Sequence, residues 1–398
     1  MPTIFGLPSE GVAVLDDVDL LVCGAGPVGC VVAERAATVL GWKVLVVDRR
    51  PHVAGNCHDS HAANGVLVHN YGPHYFRTDD EQLLRYLSRF ADFVPANYEV
   101  RSQVRGELYP FPINLTTLER FFGRSLDTAS AERLLAERRL PIANPTNSEE
   151  YVLSRVGREL YEAFYLNYTL KQWGVHPRAL DPQVCGRVPV RLDRDARYVG
   201  HRFQVMPNGG FTKLFVRMLN HRNVRTLLNC DFSEVRTLIR PRRATVYCGP
   251  IDAYFDNRLG QLPYRSLRFD FVSHETEWRQ PCVQINYPND YGYTRSVEIK
   301  HVTGQRHPET VVSYETPTAE GEPFYPVPRR ESAALYARYR ELAEAETARN
   351  RVYFCGRLAQ YRYFNTDEVI QEALACFQTI RRRCAAAPPA SSPALPAA

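Results

Sequence analysis

The chain has 398 residues, 44% of them hydrophobic and 23% charged, with a formal net charge of +5. That length exceeds a single small core and implies two or three domains of ordinary globular composition. The basic residues are scattered apart from short runs at 240–243 and 381–383, which excludes a nucleic-acid track and leaves no nucleic-acid partner expected.

The start, 1–17, lacks a basic segment followed by an apolar core, and no stretch reaches transmembrane length, so a cytoplasmic protein with no membrane span is expected. From residue 19 an apolar strand runs into Cys23-Gly24-Ala25-Gly26-Pro27-Val28-Gly29 and a helical stretch, then through Val44-Leu45-Val46-Val47 to Asp48. This is a dinucleotide-binding unit. Gly24 permits the tight turn, Gly26 lets backbone approach a pyrophosphate, Gly29 lets the helix pack on the strand, and Asp48 can accept a ribose hydroxyl. Arg49, then Gly55 and Asn56, resemble the sequence that follows the acid in many FAD proteins, which favours FAD over NAD.

The stretch 50–78 is crowded with His, Asn, Gly and Pro and reads as part of a site. Helical spacing returns at 79–93 and from 115 to about 170, which predicts a helical insertion. Between 267 and 314 the pattern alternates, as in Cys282-Val283-Gln284-Ile285-Asn286-Tyr287, and predicts antiparallel strands. Residues 244–249 and 352–357 read as buried strands of the first domain, the second followed by a helix over 366–383. The Ala, Pro and Ser composition of 384–398 predicts a disordered tail. Ten cysteines without a CxxC pair predict neither a disulfide framework nor a metal site.

The expected fold class is therefore α/β: an FAD-binding Rossmann-like domain with a helical insertion domain and an antiparallel-sheet domain. The boundaries are 18–80, 208–250 and 346–383 for the FAD-binding domain, 115–190 for the helices with a mobile loop at their end, and 88–114, 191–207 and 258–345 for the second sheet.

Eight motifs identify a resemblance spanning 19–383. They are Tyr71-Gly72-Pro73-His74, Tyr168-Thr169-Leu170-Lys171-Gln172-Trp173-Gly174, Pro189-Val190-Arg191, Gly209-Gly210-Phe211-Thr212-Lys213-Leu214, Gly249-Pro250-Ile251-Asp252, Tyr293-Thr294-Arg295, Glu322-Pro323-Phe324-Tyr325-Pro326 and Gly356-Arg357-Leu358-Ala359. In their order and spacing the chain resembles the UDP-galactopyranose mutase family. The resemblance implies an isomerase in which reduced FAD interconverts UDP-galactopyranose and UDP-galactofuranose through a covalent flavin N5–sugar adduct, with a reductant such as NAD(P)H and a second copy of the chain as candidate partners.

By the same resemblance, Arg191 and Arg295 clamp the diphosphate, Arg191 from the mobile loop, and Tyr198, Tyr325, Tyr363 and Asn365 reach the same phosphates. Phe164, Tyr165 and Tyr168 form the wall on which uracil stacks, Asn286 meets the base edge, and Thr169 and Trp173 lie near the sugar. His74 sits beside the isoalloxazine, Pro73 offers it a carbonyl, and Arg357 and Asp367 belong to the cofactor site. Read without the resemblance, Phe164 and Tyr168 are two core residues on one face of an amphipathic helix. Arg77, Ala54, Val199, Phe324 and Phe364 depart from the family pattern, leaving room for UDP-N-acetylgalactosamine or a deoxyhexose nucleotide as substrate. An FAD oxidoreductase of the amine-oxidase type is the rival that shares the fold.

Overall fold

The computed structural model describes residues 17–386, in two compact units. The stretch read for a leader lies outside them except for Asp17, as does most of the tail, although the helix Thr366–Ala386 covers the first three tail residues.

Among the described residues, the first unit comprises 17–58, 211–261 and 337–386. Its core is a five-stranded parallel sheet in the order Val224–Leu228, Val44–Asp48, Leu20–Cys23, Ala244–Tyr247, Val352–Phe354. The central strands are continuous apolar runs because helices cover both faces of a parallel sheet. The helix Pro27–Leu40 starts with proline in its first turn, where the missing N–H costs nothing, and stops at Gly41, whose left-handed φ of 68° lets its amide reach the Ala36 carbonyl. It packs on the helices Phe211–Leu219 and Thr366–Ala386. Beneath the sheet lies an aromatic layer of Phe232, Tyr247, Tyr254, Phe255 and Phe354.

The second unit comprises 59–210 and 262–336. Its seven-stranded sheet runs Tyr325–Pro326, Tyr264–His274, Thr310–Thr318, Arg295–Val297, Gln284–Asn286, Val100–Val104, Glu107–Phe111. One pairing differs from the antiparallel expectation: Gln284–Asn286 lies parallel to Val100–Val104, because the two strands are joined by a long excursion instead of a hairpin. A smaller sheet joins Phe76–Thr78, Phe203–Pro207 and Phe93–Pro95.

The expected helical stretch is a series of short helices, the first three of them each begun by a side-chain cap. Asn114 accepts from the Thr117 amide, Asp127 forms a capping box with Ser130, and Asn147 accepts from the Glu150 amide. The helix Ser148–Leu160 is broken at Gly157, where φ is 79° and a Cβ would fall 2.4 Å from the Arg138 carbonyl oxygen. It continues as a π-helical stretch, Tyr161–Leu166, and then as Asn167–Trp173. The helix Arg330–Asn350 was not foreseen, since its alanines, tyrosines and charges form no clear apolar stripe. No helix among the described residues is long and apolar enough to cross a membrane.

Gly29 carries the most demanding contact in the first unit: a Cβ there would lie 1.8 Å from the Gly24 carbonyl oxygen. Gly29→Ala should therefore destabilise the protein by about 3 kcal/mol, the upper end of overpacking costs, and strip its cofactor. Gly200→Ala, which meets nothing within 4 Å, should leave both unchanged. Melting temperature and bound flavin absorbance check the pair.

Candidate active site

In the first unit the glycine turn is shaped for a diphosphate. Gly24 takes φ 118°, and Gly26 and Gly55 touch so closely that a Cβ on Gly55 would lie 2.9 Å from the Gly26 Cα. No side chain caps the helix that begins at Pro27, which leaves its first-turn amides for an anion. Asp48 buttresses this turn, accepting from the Ala25 amide at 2.7 Å and the Arg50 amide at 2.9 Å. A carboxylate has further lone pairs, so a ribose hydroxyl still has a place. Ala54 holds the left-handed φ of 76° that a glycine would adopt freely, and its amide donates to the Ala25 carbonyl. The loop after the late strand adds a cation: Arg357 stacks 4.9 Å over Tyr363 and donates to the Phe364 carbonyl. Asn365 precedes the helix in whose first turn Asp367 lies buried.

In the second unit, strand register assembles the polar side chains. Asn286 pairs with Arg295, Arg295 pairs with Glu315, and Glu315 pairs with Phe269. Directly opposed residues share a face, so these side chains form one row across the sheet. Arg295 Nε donates to Glu315 Oε2 at 2.6 Å, and the carboxylate is fully buried. Burial opposes the charge on Arg295, but the adjacent Glu315 carboxylate and the tyrosines Tyr168, Tyr325 and Tyr98 hold its pKa above the usual arginine value. Burial pushes the Glu315 carboxyl up while Arg295 pulls it back, and its Oε1 has no hydrogen-bond partner among the described residues.

Two basic side chains fix the elements around that row. Lys171 Nζ donates to the carbonyls of Tyr287, Asp290, Tyr291 and Tyr293, pinning the 287–293 turn to the helix Asn167–Trp173. Arg265 donates to the Lys171 and Gln172 carbonyls at the end of that helix, packed so tightly that a Cβ on Gly174 would lie 2.9 Å from its Nη1. Trp173 is thereby set edge-on to Tyr325, with ring centroids 6.2 Å apart. Arg191 donates to the carbonyls of Asp195, Arg197 and Tyr198 in its own loop. That loop is tied down where Tyr198 N meets the Tyr98 carbonyl, Leu115 N meets Asp193 O, and Arg194 pairs with Glu119.

The Tyr71–His74 loop belongs to the same unit, with Gly72 over Glu315 and Phe269. His74 Nδ1 lies 2.9 Å from the Gly72 carbonyl and so carries the proton, leaving a neutral ring its lone pair on Nε2. The His74 amide donates to His69 Nδ1 at 3.0 Å, which requires His69 to be neutral. Burial agrees, lowering the His69 pKa to about 3.

The UDP-galactopyranose mutase family model matches residues 163–363, and an NAD(P)-binding Rossmann-like domain matches 22–90. The chain is 36% identical over 368 residues to a probable UDP-galactopyranose mutase of Klebsiella pneumoniae, an alignment covering 90% of this chain and 94% of that one. The chain belongs to the UDP-galactopyranose mutase family. It is 34% identical to a dTDP-fucopyranose mutase of Escherichia coli, over 90% of this chain and 97% of that one. A crystal structure of reduced UDP-galactopyranose mutase matches the fold with a TM-score of 0.69 at 15% identity, covering 92% of this chain and 96% of that one. Membership makes the protein an isomerase with FAD as its cofactor. The uncapped helix, the glycine contacts and the Arg357 loop fit that group.

Against the family expectation, the mapped residues fall into distinct environments. Arg295, Tyr168, Tyr198 and Tyr325 cluster electrostatically, with Glu315 and Tyr98 among them. Phe164 does not present an open face: it is 2% exposed and packs among Tyr109 and Phe121. Tyr165 packs on Phe111, and the Thr169 hydroxyl faces the Cys185 thiol. Arg49 is exposed, while it is Arg50 that donates to Asn56 at 2.9 Å. Phe324 is buried between Tyr71 and Phe269, so this departure from tyrosine leaves no unsatisfied hydroxyl. Arg77 donates to Tyr75, whose ring stacks on Tyr98 at 4.3 Å. Glu315, Gln284, Tyr98 and Lys171 were not foreseen. The available signal was a charge inside an apolar strand, as in Thr310–Thr318, but only register shows what it faces.

The neutral His69 yields a pH signature. Its ordinary pKa is 6.5 and its buried value about 3, so between these limits the unfolded chain binds a proton that the native state does not. Stability should fall as pH drops below about 6.5, by ~1.4 kcal/mol per pH unit from this residue. His69→Gln, which keeps an acceptor for the His74 amide, should flatten that acid slope in urea unfolding between pH 7 and 5.

Proposed function

We propose that the protein interconverts UDP-galactopyranose and UDP-galactofuranose, and that it does so only with its FAD reduced. The observation that carries this reading is the half-buried arginine in the second unit, ringed by tyrosine hydroxyls and held by a fully buried carboxylate. Bound and reduced, FAD would supply the nucleophile for the anomeric carbon, with no net oxidation of the sugar. A nicotinamide cofactor is the proposed source of the electrons.

The remaining work falls to the protein. A sugar nucleotide that parts and rejoins must keep its diphosphate in place while detached. Arg295 supplies a fixed, desolvated cation for that purpose, and the hydroxyls of Tyr168, Tyr198 and Tyr325 supply neutral donors around it. Because Lys171 and Arg265 have already immobilised the supporting elements, little reorganisation is required when charge develops on the departing oxygen. Arg191 supplies the second cation, exchanging the carbonyls of its own loop for phosphate oxygens. Tyr168, half-buried at the edge of the cluster, is the residue placed to stack on the base, and Asn286 in the same row meets the base edge. In the first unit Asp48, Arg50 and Arg357 serve the FAD.

The dTDP-fucopyranose mutase relative supports a second reading, in which the same machinery acts on a deoxyhexose linked to thymidine diphosphate. A panel of UDP-galactose, UDP-N-acetylgalactosamine and dTDP-fucose, assayed with dithionite-reduced enzyme for pyranose–furanose exchange, decides between them. Turnover of UDP-galactose only under reduction is expected. Activity of the oxidised enzyme, or a product more oxidised than its substrate, would overturn the proposal in favour of an oxidoreductase.

Arg295→Ala and Arg191→Ala should each lower kcat by about 100-fold or more, with the bound flavin spectrum unchanged. Loss of flavin from either variant would show that the arginine serves the cofactor instead.

A further inference from the structure

Gln284 and Asn286 lie two apart on one short strand, so their side chains share a face, and Asn286 stands opposite Arg295. Gln284 Nε2 donates to Asn286 Oδ1 at 2.7 Å, and Tyr98 Oη donates to Gln284 Oε1 at 2.8 Å. All three residues are buried. A side-chain amide has donors at one end and acceptors at the other, so the direction of such a relay decides what its last member offers.

Arg295 sets that direction. Burial pushes the Tyr98 phenol up, while the guanidinium beside it is the charge that pulls it back. A cation that can only donate orients the lone pairs of Oη toward itself and the hydroxyl proton away, onto Gln284. The Gln284 oxygen is then occupied, its nitrogen faces Asn286, and the Asn286 oxygen is occupied in turn. The Asn286 Nδ2 makes no hydrogen bond to any described residue, which leaves it for a ligand.

We propose that Tyr98 and Gln284 are positioning residues that lock Asn286 as a hydrogen-bond donor, so that the site accepts a pyrimidine with a carbonyl at position 4, uracil or thymine, and refuses cytosine. This rests on Asn286 meeting the base, as in the function proposed above. Cytosine would turn its exocyclic amine toward the Asn286 amine, leaving two donors face to face with neither satisfied.

Calorimetric titration of UDP, dTDP and CDP into the FAD-loaded protein tests this. The wild type should bind UDP and dTDP at least about tenfold more tightly than CDP. Gln284→Glu replaces the relay's donor with an acceptor. The carboxylate can take the Tyr98 proton and an Asn286 N–H, turning the Asn286 oxygen toward the base, so the CDP-to-UDP ratio of Kd should fall at least about tenfold. Gln284→Leu removes the constraint without imposing the opposite one, and the ratio should approach unity. A purely structural role for Gln284 would weaken all three nucleotides together and leave the ratio unmoved, which overturns the inference, as does equal wild-type affinity for UDP and CDP. If the wild type binds none of the three, the placement of the nucleotide site itself is wrong and the inference falls with it. UDP binding that survives without discrimination sinks the relay alone.

Discussion

The second unit is organised around one ion pair that stability alone does not require. Arg295 and Glu315 face each other across two central strands, with the carboxylate fully buried. Burying two charges costs several kcal/mol of desolvation per ion, which their attraction offsets only with good geometry, and apolar residues of similar volume often serve a core equally well. The pair does supply a guanidinium that is largely withdrawn from water, fixed and still charged. Glu315 orients it through Nε, which leaves the terminal nitrogens for another anion. Gly72, at a left-handed φ of 86°, lies against the carboxylate, where a Cβ would just make van der Waals contact with it.

The surroundings follow from that choice. A second cation beside Arg295 would raise the electrostatic cost of folding, whereas tyrosine hydroxyls donate to phosphate without adding charge. Tyr168 and Tyr325 stand around the guanidinium as neutral hydroxyls, as does Tyr98, whose proton goes to Gln284. Two other cations of this unit, Lys171 and Arg265, are satisfied by backbone carbonyls at a turn and at a helix end. Each spends its charge on positioning an element that carries Trp173, Tyr325 or the strand pair of Asn286 and Arg295. Arg191 is likewise engaged by carbonyls, but those of its own short loop, which makes it the arginine that can exchange partners at least cost.

The two units differ in how much of them can be read from the chain. The nucleotide-binding turn was legible because it depends on backbone: Gly24, Gly26 and Gly29 are there for the absence of a Cβ, and sequence shows an absent side chain directly. The caps at Asn114, Asp127 and Asn147 are also local, each bonding an amide three residues on, although the helix starts were not read from them. The row Asn286, Arg295 and Glu315 was not, because residues up to 29 positions apart become neighbours only through register, and no local pattern specifies that. Phe164 marks a subtler failure. Its four-residue spacing from Tyr168 predicts a common face on an α-helix, but the π-helical stretch Tyr161–Leu166 intervenes. In that wider, underwound turn Phe164 packs in the core, while Tyr168 lies beside Arg295. Arg49 and Arg50 are a simpler case, since two adjacent arginines leave open which one turns inward.

The same distinction bears on substrate choice. A probable UDP-galactopyranose mutase and a dTDP-fucopyranose mutase align with this chain at 36% and 34% identity, so overall similarity does not separate their substrates. The two nucleotides share the carbonyl at position 4 and the diphosphate, and differ at the base methyl, the ribose 2′-hydroxyl and the sugar. Neither the proposed arginine clamp nor the proposed donor at Asn286 can tell them apart. Discrimination must come from groups that touch those three points, and it must be steric or hydrogen-bonded, because the charges are equal. An apolar pocket distinguishes a methyl or an absent hydroxyl by only about 1 to 3 kcal/mol, whereas a site that hydrogen-bonds a hydroxyl rejects its absence far more strongly. A sharp preference for the galactose nucleotide would therefore require a buried polar group committed to a hydroxyl that the deoxyhexose lacks. Weak preference would mean that the protein sorts its substrates by supply.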